Sequence, residues 1–212
     1  MTKLQITFAA VLLNLFLGGP VLAEEEKKAR SEKTPTLNPV RQVMDPHDKN
    51  IAINIQNDGE QIVVDANFIV PVVPQQAWAV LTDFDNIPKF NSSVLFSKVT
   101  DRTGNNVHVS QKGVTKYGFF TFSFESVREI NLLPFRKIEE RMISGSMRKM
   151  EETTQLLPEG NETRISYHAV FVPGVGVPPG IAKVFIKREA QDQFQAIVGE
   201  IIRRKQMNVA SQ

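Results

Sequence analysis

The chain has 212 residues, of which 42% are hydrophobic and 23% charged, with 25 Lys and Arg against 23 Asp and Glu. That length supports one domain with a sizeable core, and the near-neutral balance offers no electrostatic footprint for nucleic acid. There is no Cys, which excludes disulfides, thiol nucleophiles, thiolate metal sites and dithiol redox chemistry.

Residues 1–23 read as a secretory signal peptide. Lys3 supplies the positive start, and Leu4–Leu17 is apolar except for Gln5, Thr7 and Asn14. Gly18, Gly19 and Pro20 break the helix before Val21-Leu22-Ala23. The apolar run falls short of the roughly 20 residues a membrane span needs, so cleavage after Ala23 is expected rather than retention as an anchor. No Cys follows to carry a lipid. The expected destination is the periplasm of a bacterium. Residues 24–50 form a charged leader with Pro35, Pro39 and Pro46, largely irregular. The expected domain spans 51–207, and 208–212 is a short tail.

Within the domain, Ile51, Ile53 and Ile55 alternate with polar or small residues, as do Ile62, Val64, Ala66 and Phe68. Asn57-Asp58-Gly59-Glu60 between them predicts a hairpin. Pro71 and Pro74 end the second strand, and Pro74 suits the first turn of a helix. Ala77, Trp78, Val80, Leu81 and Phe84 then recur at helical spacing. Asp83, Asp85, Asn86 and Pro88 give turn chemistry. Strands are predicted at Val94–Thr100, Val107–Thr115, Phe119–Ile130, Arg136–Ile143, Met147–Leu157 and Thr163–Val172, separated by turn signals such as Asp101–Asn105, Ser144-Gly145-Ser146 and Pro158–Asn161. This spacing predicts an antiparallel meander.

A last helix is predicted at Pro178–Lys205. Ile186, Ala190, Phe194, Ile197, Val198 and Ile201 form its apolar stripe, with Arg188, Asp192, Gln195 and Arg203 opposite. Its start is apolar on almost every side (Ile181, Ala182, Val184, Phe185, Ile186), so it must touch something all round. A curved antiparallel sheet with one long helix across its concave face leaves a gap that side chains do not fill. Such a gap suits an apolar ligand.

The segment Val72–Phe90 (VVPQQAWAVLTDFDNIPKF) places an apolar residue and Pro before a helix with an aromatic, then Asp-aromatic-Asp and Pro. With Val127-Arg128-Glu129, Ile143-Ser144-Gly145 and Tyr167–Pro173 leading into the last helix, it resembles the START-like (SRPBCC) superfamily. Within that superfamily it is most similar to the polyketide cyclase/dehydrase and coenzyme-Q-binding branch, over about Gln61–Lys205. The resemblance implies an α+β helix-grip (START/Bet v 1-like) fold, a curved antiparallel sheet gripping a long C-terminal helix over a cavity. Members bind lipids, sterols, quinones, polyketides or hormones, and some cyclise or hydrolyse what they bind.

Candidate ligand-binding residues follow. Phe120, Phe122 and Phe124 share one strand face, and Tyr167 and Phe171 share another. Each is either ordinary core or cavity wall, and in this fold the two overlap. Tyr167 is singled out because a buried phenol needs a partner. Trp78, Met142, Ile181 and Phe185 are further apolar candidates. Glu140 shares a face with Ile138 and Met142, and Glu152 with Met150 and Thr154. The two strands form a hairpin, so the carboxylates are either an inward acid/base pair, partners of Arg141, Arg148 or Arg188, or solvated. His47, His108 and His168 lack metal-ligand spacing, and no nucleophile elbow is present. The Gly- and Pro-rich run Phe171–Gly180 is either a tight buried connection or a lid that touches a membrane surface.

The leading expectation is non-catalytic binding or transport of a hydrophobic small molecule. The alternatives are a cyclase/dehydrase-type enzyme and an envelope protein-interaction module. No catalytic set, metal or cofactor is implied, no nucleic acid is expected as partner, and the oligomeric state is open.

Overall fold

Period-two alternation of apolar side chains builds eight strands. The computed structural model, which describes residues 51–117, 120–173 and 179–210, joins them into one antiparallel sheet. They are β1 (Ala52–Asp58), β2 (Gln61–Val70), β3 (Val94–Thr103), β4 (Asn106–Tyr117), β5 (Phe120–Leu133), β6 (Lys137–Gly145), β7 (Lys149–Glu159) and β8 (Glu162–Val172). The order across the sheet is β1-β2-β8-β7-β6-β5-β4-β3. Helix α1 (Pro74–Leu81) and a 3-10 turn (Phe84–Lys89) connect β2 to β3, and α2 (Pro179–Ala210) ends the chain. The expected signal peptide and leader and Gly174–Pro178 of the Gly- and Pro-rich run lie outside the described residues.

The hairpins form where the turn chemistry places them. Gly59 and Gly160 sit at φ of 61° and 62°, a region that a side chain disfavours. Register shifts between Val94 and Phe96, between Val99 and Asp101, and opposite Val127 and Arg128 mark bulges. Bulges bend and twist a sheet, which helps this one curl around α2. In β6 the extra residue is Ile143, and its side chain points to solvent.

Strand alternation sends Val64, Ala66, Phe68, Ile165, Ala169 and Phe171 inward, where they pack with Phe185, Ile186, Ala190, Phe194, Val198 and Ile201 of α2. This is the stripe anticipated for the helix. A second, smaller cluster comprises Phe84, Val107, Val109, Ile130, Leu132 and Ile138. Trp78 and Leu81 pack against both clusters and so bridge them. Element bounds differ from expectation: β3 runs to Thr103 and β6 to Gly145, into residues read as turns, and two further differences have a local cause. Helix α2 continues past Lys205 to Ala210, because Gln206–Ala210 contains neither Gly nor Pro to stop it. Strand β7 starts at Lys149 rather than Met147, because Met147 leaves the ladder and tucks into the larger cluster.

The end of α2 is tied to α1. Arg204 donates to the Ala79 carbonyl at 3.3 Å and to Asp83 at 2.7 Å, and Lys205 donates to the Pro71 carbonyl at 2.6 Å. Asp85 accepts from the Val99 amide and from Lys98, both at 2.6 Å, which anchors the 3-10 turn on β3.

Gly113 of β4 has a different requirement. A Cβ there would lie 2.0 Å from Phe124 Cζ and 2.1 Å from the Ser93 carbonyl oxygen. That carbonyl accepts from the Val114 amide, so it is not free to retreat. Gly113→Ala should therefore destabilise the fold by about 3 kcal/mol, read as a lower urea midpoint with an unchanged slope.

Candidate functional site: an apolar cavity with a buried polar row

A cavity of about 60 Å³ lies where the two apolar clusters meet beneath α2. Its apolar wall comes from every layer of the fold. Phe68, Ile138 and Ile165 contribute from the sheet, Phe194 and Ile197 from α2, and Val80, Leu81, Phe84, Ile87 and Phe90 from the connection between β2 and β3. Phe194 is central, with its ring 5.2 Å from Phe68 and 5.1 Å edge-on from Tyr167.

Into this wall the sheet inserts a row of polar side chains. Register explains how. Glu140 of β6 lies directly opposite Glu152 of β7. Arg128 of β5 sits two residues from Ile130, the partner of Glu140, and Tyr167 of β8 sits two residues from Ala169, the partner of Glu152. All four face the interior and line the cavity. They form a diagonal row across four adjacent strands. Asn91, Thr154 and Gln193 complete the polar lining.

Electrostatics follow from burial. Arg128 is 1% exposed and ion-pairs through Nη1 with Glu140, whose side chain is 13% exposed. Two carboxylates opposed on one face of a sheet repel, and only one of them has the arginine. Burial, followed by the Glu140 charge, pushes the Glu152 carboxyl up to about 8, against the pull of Arg128 and Tyr167. Burial therefore favours the protonated, neutral form of Glu152. Burial, followed by the charges of Glu152 and Glu140, holds the Tyr167 hydroxyl well above its ordinary range. The hydroxyl interacts with Glu152 without completing the geometry of a full hydrogen bond.

The structure distributes the ten sequence candidates as follows. Glu140 and Tyr167 line the cavity. Phe171 and Phe185 are wholly buried in the larger cluster, and Met142 packs against that cluster. Trp78 bridges the two clusters and meets Phe135 edge-on at 5.8 Å. Phe124 packs with Val94 in a small separate cluster, its ring against Gly113. The side chains of Phe120, Phe122 and Ile181 lie outside the described set.

The anticipated cation for Glu140 is corrected. Arg141, Arg148 and Arg188 pair instead with Glu129, Glu60 and Asp192. Arg141 alternates to the outer face of β6, whereas Arg128 alternates inward from β5. Arg128 is therefore a member of the polar row that the sequence candidates lack, as they lack Asn91, Gln193 and Phe194. Its signal was parity, since it continues the inward positions 124 and 126 of β5. His168 is exposed and bonds Asp65 at 2.8 Å, while His108 lies 3.9 Å from Glu129. No group of three or more metal-binding side chains occurs among the described residues.

Residues 70–198 match the family model described as polyketide cyclase / dehydrase and lipid transport. The match covers more than half of the chain, and the protein belongs to this family. Among solved structures, a START superfamily protein from Mycobacterium smegmatis aligns with a TM-score of 0.59 at 14% identity, covering 66% of this chain and 97% of that one. The Zhui aromatase/cyclase from a Streptomyces species aligns at 0.57 and 14% identity, covering 68% and 95%. A STAR-related lipid transfer protein from Xanthomonas axonopodis aligns at 0.57 and 9% identity, covering 72% and 98%. At these identities the likeness establishes the helix-grip fold. Comparison with curated proteins finds no match.

Proposed function

We propose that the protein binds and carries a hydrophobic small molecule, of lipid, quinone or polyketide-like character, in the cavity between the sheet and α2. The observation that supports this reading is the cavity itself. Every layer of the fold contributes apolar wall, while four of the cavity's polar groups form one row across the sheet that Asn91 and Gln193 face, the pattern of a site that buries a ligand and orients one end of it. The family includes both lipid transport and cyclase members, and the reading takes the former.

The space of about 60 Å³ accommodates roughly four or five water molecules. A longer ligand enters only if α2 or the segment carrying Phe84–Phe90 shifts outward. We place this activity in the cell envelope, on the strength of the signal-peptide pattern in residues 1–23.

Native mass spectrometry of protein purified from its own cells, followed by organic extraction, tests both points. The expected result is a near one-to-one apolar molecule on a chain that begins at Glu24. Ile197→Trp fills the wall from a half-buried position. It should lower that occupancy about tenfold while leaving the fold intact. Wild-type protein that emerges empty would sink the carrier reading.

A second reading has its own observation. A protonated Glu152 opposite Glu140 and beside Tyr167 is suited to general acid/base work on a bound carbonyl compound. If the protein is an enzyme, Glu152→Gln traps a molecule that differs from the wild-type one, for instance by the elements of water. Identical molecules from both proteins favour carriage.

A further inference from the structure

The Arg128 guanidinium uses only part of its donor set. Nη1 meets Glu140, while Nε and Nη2 have no hydrogen-bond partner among the described residues. Glu152 Oε1 and Gln193 Oε1 also lack one, and Tyr167 Oη makes no complete hydrogen bond. All of these residues line the same cavity. Their exposures are 1% for Arg128, 5% for Glu152, 5% for Tyr167 and 6% for Gln193. Buried polar atoms are almost always satisfied, so this concentration around one apolar cavity points to a ligand head group that satisfies them.

The chemistry of that head group can be read from the donors and acceptors. Neighbouring N–H groups on a guanidinium reach two oxygens at once. Gln193 presents an oxygen able to accept, and a protonated Glu152 both donates and accepts, so the head group needs a proton to give as well as oxygens to accept. Charge narrows the choice further. Arg128 is already neutralised by Glu140, burial favours the neutral form of Glu152, Tyr167 is neutral, and the facing residues Asn91 of the connection and Gln193 of α2 carry no charge. A carboxylate head group would match the two N–H donors. It would, however, bring an unbalanced negative charge beside Glu140, and it has no proton for the Gln193 oxygen. A hydrocarbon leaves every polar atom unmet, and a simple ketone has no proton to give.

Resting on the carrier reading above, we propose that the ligand is a neutral amphiphile ending in a hydroxycarbonyl group. Its two oxygens accept from Arg128 Nε and Nη2, and its hydroxyl donates to Glu152 or Gln193. Its apolar remainder lies along Phe68, Ile165 and Phe194.

Isothermal titration of the wild-type protein at neutral pH with four matched probes tests this: ethylbenzene, acetophenone, α-hydroxyacetophenone and phenylacetate. The expected order places α-hydroxyacetophenone about tenfold or more ahead of acetophenone and ethylbenzene, with phenylacetate weakest. In the charge-neutral double variant Arg128→Gln/Glu140→Gln the hydroxyketone should lose its advantage over ethylbenzene. Phenylacetate binding tightest would overturn the neutral assignment. Equal affinity for ethylbenzene and the hydroxyketone would overturn the head-group assignment and leave the carrier reading standing, with water satisfying the polar row. Failure of all four probes would overturn both. The wild-type panel decides the matter even if the double variant does not fold.

Discussion

Arg128→Met should destabilise the protein by about 3–5 kcal/mol, the range for removing one partner of a buried ion pair. The guanidinium is 1% exposed and stands between the interior and two carboxyl groups that oppose each other across β6 and β7. Without it, Glu140 loses its counter-ion with only 13% of its side chain open to water. That partial exposure argues for the lower half of the range. Repairing the charge should repair the fold, so Arg128→Met/Glu140→Gln should recover most of the loss. Urea unfolding of the four members of the cycle measures the coupling directly. A cost below about 1 kcal/mol for Arg128→Met would mean that Glu140 relaxes into solvent and that the pair is not structural. In that case the polar row would lose its claim to be preorganised.

The architecture was legible because it rests on short-range periodicity. Alternation at Ile62–Phe68 and Ile165–Phe171, the Asp58-Gly59 turn, and the stripe Ile186–Ile201 each depend on neighbours in sequence, and each appears where expected. The site was legible only in part. Tyr167 and Glu140 sit on faces whose parity is plain from flanking apolar residues, and both line the cavity.

Glu152 was recognised as a possible partner of Glu140, but its ionisation state depends on which cation reaches the pair. That cation comes from β5, and its inward orientation follows from counting alternate residues out from Phe124. Charged residues at such positions are normally read as solvent-facing, which hid Arg128. The aromatic candidates failed to separate for a different reason. Phe124, Phe171 and Phe194 look alike in sequence, yet Phe124 covers Gly113, Phe171 fills the core and Phe194 walls the cavity. Which aromatic meets the cavity depends on how α2 crosses the sheet, and no local pattern encodes that crossing.

The polar row also explains why stability should fall with rising pH. The unfolded chain releases the Glu152 proton near the ordinary value of 4.5, whereas the folded chain keeps it to about 8. Between those values the native state binds more protons than the unfolded state, so stability falls as pH rises, by up to about 1.4 kcal/mol per pH unit. Glu189, whose carboxyl burial also pushes up, acts in the same sense.

On the acid side the sign reverses. Arg203 and Arg204 hold Glu200 down to about 2. Its contribution is present above the ordinary value and is lost as pH falls towards 2. The wild-type protein should therefore be most stable near about pH 5 and weaker by about pH 8. Glu152→Gln should match the wild type near pH 5, exceed it at pH 8, and show a flatter profile between. Thermal unfolding across this range compares the two proteins directly. If both lose stability with the same slope, Glu152 is ionised in the folded protein. The neutral cavity on which both the ligand assignment and the acid/base reading depend would then be excluded.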